Sequence, residues 1–161
     1  MTLRLFRIQI VQIFLCALSL LVVSFPALAD GIDQVRRIEI RHFAKSCRKI
    51  DLAADYLHQI DFNNDGLTDL ITEPELAACD GVKAPECNLL GCPHRFYVQT
   101  DDGSYAMIAE MQFYSYTTYR RYGNTVLALI VQGPYCGRST AQTCKITYRI
   151  RDKQIIELKR E

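Results

Sequence analysis

Four oxygen-bearing side chains fall at a spacing that winds a chain around a hard cation: Asp61, Asn63, Asp65 and Asp69, with Gly66 sixth in the run and Leu67 seventh. Ca²⁺ takes about six to eight oxygens at 2.3 to 2.6 Å, and a carbonyl at the seventh position is a standard donor in such loops. Gly66 permits the sharp turn that aims the side chains inward. Three carboxylates this close would repel one another without a cation. A polar hairpin turn at Asn64-Asp65-Gly66 would account for the glycine, but not for four donors at coordinating positions. The expected ligands of a structural Ca²⁺ are therefore the side chains of Asp61, Asn63, Asp65 and Asp69 and the carbonyl of Leu67.

The run departs from an EF-hand at its twelfth position, where Thr72 replaces the bidentate glutamate and Glu73 comes one residue late. It resembles instead the strand-loop-strand calcium loops of FG-GAP and VCBS repeats, whose pattern D-x-N-x-D-G-x-x-D leads directly into a β-strand. That resemblance covers Asp61 to about Thr72. Repeat families build propellers from several such blades, and a single loop carries over neither a propeller nor its ligand surface. More loosely, the order of this loop, a cysteine-rich stretch ending Leu90-Gly91-Cys92 and a late Gly133-Pro134-Tyr135-Cys136-Gly137 looks like a group of uncharacterised small exported proteobacterial proteins, which lends no activity.

Cysteine chemistry comes second. Of seven cysteines, Cys16 lies in the leading apolar segment, leaving Cys47, Cys79, Cys87, Cys92, Cys136 and Cys144. An even number in an oxidising compartment reads as three disulfides. Short spacing favours Cys136 with Cys144 and Cys87 with Cys92, and elimination leaves Cys47 with Cys79. Zinc on Cys79, Cys87, Cys92 and His94 is the weaker reading, because export favours disulfides and the Cys87–Cys92 gap is looser than a zinc knuckle. Haem attachment fails because Pro93 separates Cys92 from His94.

The remaining candidates are surface chemistry. Tyr114, Tyr116 and Tyr119 beside Arg120 and Arg121 could stack on sugars or on a partner protein. His42, His58 and His94 are scattered, paired acids are expected only in the calcium-type loop, and no nucleophile elbow or helical His-Glu-x-x-His occurs.

The elements that must position these groups follow an export signal. Arg4 and Arg7 precede an apolar run from Ile8 to Phe25, Pro26 breaks it, and Ala27-Leu28-Ala29 offers a cleavage site before Asp30. Residues 1–29 are thus expected to be a signal peptide and 30–161 one domain, periplasmic or secreted. Two of the 19 basic residues and none of the 18 acidic ones would leave with the signal, giving a mature formal charge of −1. That balance supports no general grip on nucleic acid or on an anionic membrane.

Within the domain, Ile32, Val35 and Ile38 predict an N-terminal helix running to about Cys47. Strands are expected at Tyr56–Ile60, Leu70–Thr72, Phe96–Thr100, Tyr105–Met111, Val126–Val131, Cys144–Arg151 and Ile155–Leu158, with Asp102-Gly103 turning one hairpin. The span 73–93, with Pro74, Pro85 and Pro93, reads as an irregular loop. The expected architecture is mainly β (α+β): an antiparallel meander of six to seven strands, one helix packed on it, and disulfide staples. The functional expectation is a calcium-binding, non-catalytic envelope protein that binds another protein or a glycan. The alternative is a small secreted hydrolase or a hydrolase inhibitor.

Overall fold

The computed structural model describes residues 28–161, so all but the last two residues of the expected signal segment lie outside the described part. Helix α1 (Leu28–Phe43) comes first. Then follow β1 (Ile50–Leu52), β2 (Leu57–Ile60), β3 (Asp69–Thr72), β4 (Ala77–Cys79), β5 (Val82–Lys83), β6 (Cys92–Gln99), β7 (Tyr105–Phe113), β8 (Ser115–Arg121), β9 (Asn124–Gln132), β10 (Thr143–Arg151) and β11 (Gln154–Arg160). The chain is mainly β, as expected. Its eleven described strands exceed the six to seven anticipated, and they divide among three antiparallel sheets ordered β2-β3-β6-β7, β11-β10-β9-β8 and β1-β4-β5. Among the described residues no helix is long and apolar enough to cross a membrane.

The sheet β2-β3-β6-β7 is the middle layer, and strand alternation explains why it can be covered on both faces. Phe96 and Val98 of β6 point into a core shared with Leu127, Leu129, Val131, Ile146 and Ile150 of the second sheet. Tyr97, between them in sequence, points the other way into a cluster with Val35 and Phe43 of α1. The helix buries one stripe at four-residue intervals, Val35, Glu39 and Phe43, all at most 1 % exposed. It stops at Phe43, four residues short of Cys47, where Cys47 N–H still bonds Phe43 O at 2.9 Å.

The expected irregular span 73–93 contains β4 and β5, which join β1 in a small sheet. Disulfides link Cys47 to Cys79, Cys87 to Cys92 and Cys136 to Cys144, the pairing that spacing favoured. With these cysteines bridged, the zinc reading on Cys79, Cys87 and Cys92 lapses. Three such bridges belong to a non-reducing, extracellular-type environment. The strand β8, not anticipated as a strand, is an edge of its sheet and joins β9 through Tyr122-Gly123, both at positive φ (49° and 78°), which is the twist a two-residue hairpin needs.

Candidate functional site

The Asp61–Asp69 run is the connection of the β2–β3 hairpin, entered after Ile60 and left at its register partner Asp69. Asn64 and Gly66 take positive φ (66° and 86°), so the chain reverses within four residues. Asp61 accepts N–H bonds from Asn64 at 2.7 Å and Gly66 at 3.2 Å. Asn63 Oδ1 accepts from Asp65 N–H at 3.0 Å, and Asp65 Oδ1 from Leu67 N–H at 2.8 Å. Each bonded oxygen retains a second lone pair.

Asp69 differs from the others because it is fully buried, clamped by the amides of Phe62 at 3.2 Å and Gln99 at 3.0 Å. Burial pushes its carboxyl up to about 6, against the pull of those amide bonds, and Asp65 nearby adds to the rise. The loop also reaches across the sandwich. Thr125 donates its N–H to Asn64 Oδ1 at 2.9 Å and its hydroxyl to the Asp61 carbonyl at 3.0 Å.

Thr125 stands beside the turn of the β8–β9 hairpin, which carries the tyrosine and arginine candidates. Tyr114, Tyr119, Arg120 and Arg121 are exposed, and Tyr122 at the turn is 90 % exposed. Tyr116 is half-buried instead. It packs against the sandwich core, and its hydroxyl donates to Glu73 Oε1 at 2.5 Å.

Two clusters escaped the sequence. The first lies between α1 and the middle sheet, where Arg95 spends its guanidinium on three carboxylates: Nη1 to Glu39 at 2.8 Å, Nη2 to Glu86 at 2.9 Å and Nε to Glu110 at 2.8 Å. Glu39 also accepts the hydroxyls of Tyr56 at 2.6 Å and Tyr97 at 2.5 Å. Burial, reinforced by Glu39, pushes both phenols well above their usual range. His42 contacts both Glu86 and Arg95 at the rim. An adjoining cavity of about 330 Å³ is lined by Ile38, His42, Arg95, Met107 and Glu110 among others. Both Glu39 oxygens are already bonded, so the cluster fastens the helix to the sheet. A signal existed: Glu39 occupies the apolar stripe of α1 between Val35 and Phe43.

The second cluster is on the opposite face of β6, and it corrects the expectation that paired acids occur only in the calcium-type loop. Among the described residues, three ligand atoms come within 4.8 Å of one another at Glu73, Glu75 and His94, and not at Asp61, Asp65 and Asp69. The His94 ring stacks on Phe113 with centroids 3.9 Å apart, and its Nδ1 lies 2.8 Å from the Thr72 carbonyl. A carbonyl only accepts, so Nδ1 carries the proton and Nε2 holds the lone pair. Burial pushes the imidazole down and the Glu73 carboxyl up to about 7, the latter opposed by the Tyr116 hydroxyl and aided by Glu75. Neither feature was legible, because Glu73 and Glu75 sit in the span expected to be irregular and His94 is distant from both in sequence.

Comparison of the chain with protein-family models, with curated proteins and with solved structures finds no match.

Proposed function

We propose that the mature chain is an exported, non-catalytic binding module of the cell envelope, in which Ca²⁺ in the Asp61–Asp69 loop sets the shape of a tyrosine- and arginine-bearing face. The observation that supports this reading most directly is the pair of bonds from Thr125 to Asn64 and Asp61, which couple the loop to the hairpin bearing Tyr119, Arg120, Arg121 and Tyr122. Exposed tyrosine and arginine are the residue types that carry binding energy at interfaces. The partner class is an envelope protein or a glycan.

Calcium should raise the melting temperature by a few degrees. Modules of the extracellular type bind with dissociation constants of about 10⁻⁴ to 10⁻³ M, so several millimolar calcium contributes on the order of 1 to 2 kcal/mol. Asp65→Ala removes a charged donor while Gly66 still makes the turn, and it should abolish the shift in a protein that remains folded. Magnesium should do less, since it gives up its waters reluctantly. The immobilised chain should retain an envelope component in calcium, release it in chelator, and lose it with Tyr119→Ala/Arg121→Ala. Identical melting curves in calcium and chelator would remove the cation from the reading. Retention unaffected by the Tyr119→Ala/Arg121→Ala substitution would remove the face.

A further inference from the structure

We propose that the mature chain self-associates as a two-fold dimer through the free edge of β8, two copies pairing Ser115–Arg121 antiparallel about Thr118 so that their outer sheets join into one. A strand at a sheet edge offers unpaired N–H and C=O groups, and proteins guard such edges with short strands, irregular register, charged side chains or proline. At the ends of the two larger sheets, β2, β7 and β11 carry such guards. β2 has four residues, β7 lies along a register shift against β6, and β11 lies along another against β10 and holds Glu157, Lys159 and Arg160. β8 is different. Its seven consecutive residues keep register with β9, without proline, lysine or glycine, and all but Tyr116 are exposed.

Turn geometry decides which backbone groups are free. A two-residue hairpin turn is flanked by a pair that exchanges both hydrogen bonds, and bonded and non-bonded pairs alternate from there. Arg121 and Asn124 are the flanking pair. Arg121, Tyr119 and Thr117 therefore turn their backbone groups to β9, whereas Arg120, Thr118 and Tyr116 turn theirs outward. Those three are symmetric about Thr118. In an antiparallel pair centred there, Thr118 meets Thr118 of the second copy and Tyr116 meets its Arg120, each exchanging both bonds.

Charge selects a second copy as the occupant. Residues directly opposite share a face of the sheet, and Tyr116 packs on the core face with its hydroxyl on Glu73. Arg120 of the second copy thus lies beside Tyr116, within reach of Glu73 and of Glu75 next to it. Among the described residues, Glu73 and Glu75 have no lysine or arginine partner and Arg120 has no carboxylate; its guanidinium donates to the Gly123 carbonyl at 3.2 Å. The two-fold axis makes this exchange in both directions and keeps the Arg120-Arg121 pairs of the copies at opposite ends. Parallel pairing would set like charges side by side. The side chains of Tyr119 and Arg121 stay on the outer face, so the contact stands apart from the partner-binding reading and presents that face in duplicate.

Sedimentation equilibrium of the full mature chain, in calcium and in chelator, tests the dimer. The expected result is concentration-dependent association under both conditions, weakened by salt. A charge at position 118 meets itself only in this register, so Thr118→Lys should leave a monomer with the melting curve of dilute wild type. Arg120→Glu should weaken the dimer at least about 10-fold, because like charges then face each other, and Glu75→Arg added to it should recover association. Hydrogen exchange requires no variant to fold: the amides of Tyr116, Thr118 and Arg120 should slow as concentration rises, while those of Thr117 and Tyr119 stay unchanged. A monomer at millimolar concentration, a dimer that persists in Thr118→Lys, no recovery in the double variant, or edge amides indifferent to concentration would overturn the proposal.

Discussion

At the scale of single residues, Glu39 is tightly constrained. It sits at 0 % exposure on the inner stripe of α1, yet it is surrounded by Arg95 and two phenolic hydroxyls, so its charge is both paired and hydrogen-bonded. Removing one partner of a buried pair leaves the other uncompensated, which typically costs about 3 to 5 kcal/mol. Glu39→Ala should therefore lower the unfolding free energy in denaturant by an amount in that range. A loss under about 1 kcal/mol would mean that Glu86 and Glu110 alone satisfy Arg95. The charge on the apolar stripe was visible in the sequence, but its partners were not: Arg95 and Tyr97 lie 56 and 58 residues away on β6 and Tyr56 lies 17 away, and only the packing of α1 on the middle sheet brings them together.

At the scale of elements, legibility followed length and periodicity. The pairs β2–β3 and β6–β7 and the strands β9, β10 and β11 carry apolar residues in runs or alternation, and all were expected near their observed places. Strands β1, β4 and β5 have three residues or fewer, too few to show a period. β8 is a sheet edge whose residues are mostly exposed, so it lacks the apolar alternation that marks a half-buried strand. The Asp61–Asp69 turn was legible because its residues are adjacent in sequence. The Glu73–Glu75–His94 cluster was not, because it depends on the register of β3 against β6. The Cys47–Cys79 bridge adds a covalent tie between β4 and the segment after α1, to a small sheet that Ala77, Ile50 and Leu52 already pack against the helix-side cluster, and it closes a loop of sequence separation 32. Chain-entropy arithmetic for a loop of that size gives about 3 to 4 kcal/mol. Replacing both cysteines with alanine should cost that much in equilibrium unfolding, and a variant as stable as the wild type would show that β1-β4-β5 holds itself. Without reductant the wild type should expose no alkylatable thiol among these six cysteines.

At the scale of the whole molecule, a helix, a middle sheet and an outer sheet stack into three layers, with β6 buried on both faces. Export remains the reading of the N-terminal segment, and it has a direct measurement. Intact-mass analysis of protein from an exporting host should place the N-terminus at Asp30, and an uncleaved Met1 in a membrane fraction would contradict it. The layering also has a consequence in time. In the outer sheet every strand pairs with its chain neighbour, β8 with β9, β9 with β10 and β10 with β11, whereas the middle sheet must bring Ile71 to Phe96 across the cysteine-rich span. Local pairings form faster than distant ones. In a chain delivered N-terminus first, the half best suited to fold quickly emerges last, and the face of β6 that it covers stays bare until then. If an oxidising compartment receives the chain in that order, Cys47 and Cys79 are expected to pair on the contacts of the helix-side cluster, ahead of the sandwich.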